Sequence, residues 1–178
     1  MSKNYFGSTF GKTSKNFGGG KKVWHEVKAC YPIGGVVDPS DYTDGTILPA
    51  GSPALLSQST HEVTVVPAYS ATKDAYAVGD YVIQAGSLYV CKTAIAAAEA
   101  FTAAKWTVQT AATLATAGLS LGLLYHDLLI DEAAKDATYG AATAAVVYAG
   151  EVYASRLDIE LGSAFLALVP QIVPIYEA

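Results

Sequence analysis

Beyond residue 22 the apolar runs of this chain are short, and glycines and prolines recur between them. Such punctuation leaves little room for long helices and favours short strands joined by turns. Val23 to Tyr31 alternates in character and predicts a strand, followed by a turn-rich stretch from Pro32 to Asp44. Gly45 to Pro53 reads as a short strand plus a tight turn. Pro49 and Pro53 are expected at edges or turns, because proline donates nothing to a ladder. His61 to Val66 supplies a further strand. Ala75 to Thr93 predicts a hairpin about Gln84-Ala85-Gly86-Ser87. The alanine-rich stretch from Ala94 to Lys105 is a short helix or a small-residue loop, and Trp106 to Val108 a closing strand. After an Ala/Thr link at Thr110 to Thr116, strands are expected over Leu119 to Ile130 and Ala144 to Tyr153, on either side of a polar loop, Asp131 to Gly140. Leu157 to Val169 is a strand pair or a short helix, with strands favoured. The class is therefore mainly β: a small barrel or sandwich domain from residues 23–66 and 111–178, with an aromatic-rich antiparallel module inserted at 67–110.

The first 22 residues differ in kind. They hold Lys3, Lys12, Lys15, Lys21 and Lys22 and no acid, while the rest of the chain carries six basic and sixteen acidic residues. Gly7, Gly11 and Gly18-Gly19-Gly20 deny this stretch a regular element, so a flexible N-terminal arm is expected. Phe6, Phe10 and Phe17 are spaced through it, as anchors that bury when the arm lies on a partner. A basic arm on an acidic body suits docking to an acidic surface; the plainer alternative is a solubilising tail. Of the 178 residues 52% are hydrophobic and 15% charged, enough for a packed core without disulfides or metal. Much of that apolar content is alanine, which points to surface left to bury against copies of itself or a larger assembly. Cys30 and Cys91 form no framework and read as buried free thiols. The start lacks an apolar signal-peptide core, and Pro170 and Pro174 interrupt the most apolar late stretch, so no membrane contact is expected.

Motifs that would carry chemistry are few. Gly7-Ser-Thr-Phe-Gly-Lys-Thr is one residue short of a phosphate-binding loop and lacks the strand before it. His25, His61 and His126 each precede an acid, but neighbours in a strand point to opposite faces, so no acid–base dyad is ready-made. There is no GxSxG, CxxC or HExxH. No catalytic, cofactor or metal residue is assigned, an enzyme is not expected, and the acidic body argues against nucleic acid. The aromatic module has two readings. Its rings pack inside a unit too small for a large aliphatic core, or Tyr89 and Trp106 form an exposed platform for the C–H faces of glycans.

Two sets of residues resemble known families. Gly45-Thr-Ile-Leu-Pro-Ala-Gly-Ser-Pro resembles the GTVIPAGTP turn of bacteriophage capsid decoration and head fibre proteins. Gly122-Leu-Leu-Tyr-His-Asp-Leu-Leu-Ile and, later, Ala145-Val-Val-Tyr-Ala-Gly-Glu-Val-Tyr-Ala-Ser-Arg-Leu resemble their late strands in the same order. Tyr76, Gly79, Asp80, Val82, Gly86, Leu88, Tyr89, Cys91 and Trp106 are similar to the pattern of a small β module of phage fibres and chitin-binding modules. The resemblance implies a virion protein on the outer surface of a phage capsid. Its β-rich domain would bind the major capsid protein, further copies would join it in a homotrimer, and its module would project outward. Lys3, Phe6, Phe10, Lys12, Lys15, Phe17, Lys21 and Lys22 would then form a capsid-docking arm. The alternative is a carbohydrate-binding adhesion module that attaches the virion to host or mucosal glycans.

Overall fold

The computed structural model describes residues 22–32, 34–130 and 142–176. The expected arm, apart from Lys22, and the acidic loop therefore lie outside the described residues. Five strands form the backbone of the fold: β1 (Trp24–Cys30), β4 (Pro53–Ser57), β5 (Val63–Val65), β9 (Leu119–Leu124) and β12 (Val146–Tyr153). They line up in the order β1-β12-β9-β4-β5, antiparallel throughout. A last strand, β13 (Ile172–Ile175), runs parallel to β12 along Gly150–Tyr153, beyond the two residues at which β12 meets β9.

At its centre, along β4 and β9, both faces of this sheet are buried, and side-chain alternation assigns each residue to one of them. Ala54, Leu56, Leu124 and Val146 face one core. It is covered by two ribbons: β3 (Thr46–Leu48) paired with β10 (Leu128–Ile130), and β2 (Gly35–Val37) paired with β11 (Ala142–Ala144). Leu55, Leu123 and Val147 face the opposite core, with Trp24, Leu114 and Phe165. Leu114 comes from α1 (Ala111–Thr116) and Phe165 from α2 (Ser163–Leu166). A four-residue helix has no stability of its own, so α2 is held by burial of Phe165, which is fully enclosed. The result is mainly β and sandwich-like, without a closed barrel.

The segment 67–110 carries a separate antiparallel sheet of β6 (Tyr81–Gln84), β7 (Ser87–Cys91) and β8 (Trp106–Val108). The hairpin turn lies where the sequence places it, with Ala85 (φ 48°) and Gly86 (φ 69°) both left-handed, as a two-residue turn between twisted strands requires. One face packs Tyr76, Val82, Cys91, Ile95 and Trp106 into a small core of its own. The other face sends Ile83 and Leu88 into the core of the main sheet. At the turn the two parts touch backbone to backbone. A Cβ added to Gly162 would lie 2.7 Å from Gly86 Cα, and Phe165 N–H donates to Gly86 O at 3.1 Å.

Several expectations are corrected. Leu119 to Ile130 is two strands, broken at His126-Asp127, which send β9 and β10 to different sheets. Leu157 to Val169 contains α2 and no strand; Leu161, Phe165 and Val169 recur every fourth residue and are all buried. The Ala/Thr link is α1, started by a capping box between Thr110 and Thr113. Of its two readings, Ala94 to Lys105 takes the loop, with a 3-10 turn at Ala103–Lys105. Pro53 opens an interior strand rather than an edge, as a strand's first residue can. Cys91 is buried, whereas Cys30 is only partly so.

Candidate docking surface at the root of the arm

Lys22, Val23 and Trp24 are the first described residues, and they are clamped from three directions. Trp24 pairs with Val152 at the end of β1, and its indole N–H donates to Leu124 O (3.3 Å) and Tyr125 O (3.0 Å). Arg156 Nη1 donates to Lys22 O at 2.8 Å, while its guanidinium lies 4.2 Å from the centre of the Tyr153 ring. The turn Pro49–Ser52 closes the third side. Gly51 N–H donates to Leu124 O, Leu124 N–H to Ser52 O, and Ala50 N–H to Asp127 Oδ1 at 2.7 Å. Gly51 has φ +81°, and a Cβ there would meet Leu157 Cδ2 at 2.5 Å and Val23 Cγ1 at 2.7 Å. Only glycine lets this turn come so close in that conformation.

These contacts border a groove of about 460 Å³ lined by Lys22, Trp24, Ala50, Tyr125, His126 and Asp127 among others. His126 lies against Tyr125, ring centres 3.8 Å apart, and the Asp127 carboxylate is taken up by the Ala50 amide. The groove thus offers an exposed cation, aromatic surface and a fixed turn, which suit it to holding a chain in place.

On the exposed face of β1 and β12 lies a second polar cluster. His25 Nδ1 is 2.8 Å from Tyr153 OH, and its Nε2 is 3.9 Å from Glu151, the carboxylate that Lys28 Nζ binds at 2.9 Å. The lysine's hydrogen bond and charge hold the Glu151 carboxyl below the usual glutamate range and raise Lys28 in return. A histidine does therefore meet a carboxylate, supplied by the neighbouring strand rather than by the adjacent Glu26. The His25 side chain is half exposed, so the cluster stands in water on a strand face.

Of the residues singled out in the sequence, Lys22 sits at the groove, while Lys3, Phe6, Phe10, Lys12, Lys15, Phe17 and Lys21 lie outside the described residues. The exposed platform of Tyr89 and Trp106 is corrected. Trp106 is 3% exposed, enclosed by Tyr69, Tyr76 and Phe101 with ring centres 5.3–5.8 Å away, and Tyr89 is half-buried against Phe101. So small a unit needs its largest ring inside. Sequence reasoning did not single out Trp24, Asp127 or Arg156. The signal was there in polar residues at the ends of apolar runs, where chain ends are tied down. Among the described residues no three His, Cys, Asp or Glu side chains gather to hold a metal ion, and no helix is long and apolar enough to cross a membrane. No family model, curated protein or solved structure matches the chain.

Proposed function

We propose that this is a structural virion protein that binds the outer surface of a bacteriophage capsid, as a decoration or head fibre protein. The observation that carries the reading is the meeting of three segments far apart in sequence. Gly45 to Pro53, Gly122 to Ile130 and Ala145 to Leu157 are the stretches that resemble phage head proteins, and all three are stitched together around Lys22 to Trp24. Their shared pattern thus has a physical use, which is to fix the point where a lysine-rich segment joins an acidic body. In this reading the arm pairs with acidic surface on the major capsid protein, and copies associate, as homotrimers, over the lattice. Repetition then makes a modest single contact long-lived.

The test is co-sedimentation with heads that lack the protein, at low and high salt, using the whole chain and a variant without residues 1–21. That deletion spares the Lys22 carbonyl held by Arg156. Saturable binding by the whole chain, weakened by salt and by the deletion, is expected. Undiminished occupancy by the shortened chain would remove the arm from the mechanism. Absence of binding at any salt would refute the capsid reading.

A further inference from the structure

The seam between the main sheet and the 67–110 segment encloses a cleft of about 590 Å³ that none of the above uses. One wall is the 3-10 turn that ends at Asp41, with Tyr42 after it; the other is Lys73, Tyr76, Asp80 and Tyr81. Its volume falls within the range of sites that take small ligands.

The polar groups of this cleft are unevenly employed. The Tyr76 hydroxyl is fully engaged, accepting from Ser70 N–H at 2.8 Å and donating to Ser70 O at 3.0 Å, and its ring is buried, so the aromatic surface the cleft offers is that of Tyr42 and Tyr81. Lys73 Nζ lies 4.5 Å from the centre of the Tyr76 ring, without an ion pair among the described residues. Asp80 is oriented by Ala77 N–H, which donates to Oδ2 at 2.9 Å, while Oδ1 has no such partner among the described residues. The hydroxyls of Tyr42 and Tyr81 have no hydrogen-bond partner among the described residues, though both side chains are half-buried. Burial pushes both phenols up, with Asp41 adding to the effect at Tyr42.

A ligand for this cleft must bring donors for two carboxylates, partners for two phenols and an ammonium, and apolar surface for tyrosine rings. An apolar molecule would strand the carboxylates. A polyanion would face two carboxylates against one ammonium. A polyol ring meets every requirement, since each hydroxyl both donates and accepts and its C–H face packs on an aromatic ring. We infer that the cleft between Asp41-Tyr42 and Lys73–Tyr81 binds a neutral saccharide. The site is distinct from the buried Tyr89 and Trp106, and the inference does not rest on the capsid reading.

The experiment uses the purified whole chain, free of capsids, with tyrosine rings and backbone amides observed by NMR. It is titrated with neutral oligosaccharides of glucose, galactose and N-acetylglucosamine. Saturable shifts at Tyr42, Tyr81 and Asp80 with at least one of these are expected. Tyr42→Phe and Tyr81→Phe remove only hydroxyls that no described residue uses, so both variants should fold as the parent does. Each should weaken binding by about three- to tenfold. Three results would overturn the assignment: no saturable shift at the cleft with any of the sugars, binding unchanged in the double variant, or a response to a lysine-rich peptide alone.

Discussion

Gly162→Ala puts the seam between the two parts of the molecule to a direct test. Gly162 has φ −72° and ψ 167°, a conformation open to any residue, so its side chain is excluded by contact and not by backbone strain. An added Cβ would stand 2.7 Å from Gly86 Cα, 2.8 Å from Gly86 O and 3.1 Å from Gly86 C. All three are backbone atoms, and no rotamer change can move them aside. Restoring ordinary contact means parting the segments by roughly 0.7 Å, which also stretches the 3.1 Å bond from Phe165 N–H to Gly86 O. Overpacking of this kind costs about 1–3 kcal/mol, and the weakened hydrogen bond up to about 1 kcal/mol more. Alanine's smaller unfolded-state entropy returns about 0.4–1 kcal/mol. The net expectation is a loss of about 2 kcal/mol, read by urea unfolding, or about 4–8 °C in thermal midpoint for a chain of this length. Hydrogen exchange should quicken at β7 and α2 before it quickens at β4 and β9. A variant within about 0.5 kcal/mol of the parent would refute close backbone contact at the seam.

Two further outcomes follow from described contacts. Trp106→Ala empties the centre of the small core and should cost about 3–5 kcal/mol in thermal or urea unfolding. Trp106→Phe should cost markedly less, because the indole N–H has no partner to lose among the described residues; equal losses would contradict this. Lys28→Met should raise the titration midpoint of Glu151 toward the ordinary glutamate value, followed by carboxyl carbon NMR. Because the folded-state value of Glu151 is depressed, its contribution is present above the unfolded-state value and lost as pH falls through the folded one. The variant's stability should therefore decline less steeply on the acid side. On the alkaline side the raised Lys28 contribution, lost as pH rises through its folded value, should vanish as well. An unmoved Glu151 midpoint would show that the ion pair does not form in solution.

The β character and the Ala85-Gly86 hairpin were legible because both rest on local rules, alternation and turn chemistry. What escaped notice was decided by distant partners. Pro53 to Ser57 looks like the tail of a turn, yet Ala54, Leu55 and Leu56 form an interior strand because β9 and β5 flank them. Ile172–Ile175 contains Pro174 and becomes a strand only through parallel pairing with β12. Leu157 to Val169 is rich in residues that suit either state, and the pocket for Phe165 selects helix there. At the candidate site, the lysines and the three motif-like segments could be read in advance. Their meeting at Trp24 could not, because it depends on hydrogen bonds between residues about 100 positions apart. The tyrosines of the seam cleft come from two units that only the folded chain brings together.

The pairing of β1 with β12 also sets an order of events during synthesis. Trp24 leaves the ribosome well before its strand partner Val152 is made, and among the described strands β1 has no other neighbour. Until then β1 waits unpaired. Its bulged register, together with His25, Glu26 and Lys28, makes it a poor template for stray pairing in that interval. Closure across so long a loop is slow, and burial of the Trp24 indole reports its completion. A chain that terminates before residue 146 would leave β1 without its mate and the apolar flank of β9 uncovered. Premature termination should therefore yield aggregating fragments rather than a smaller folded protein.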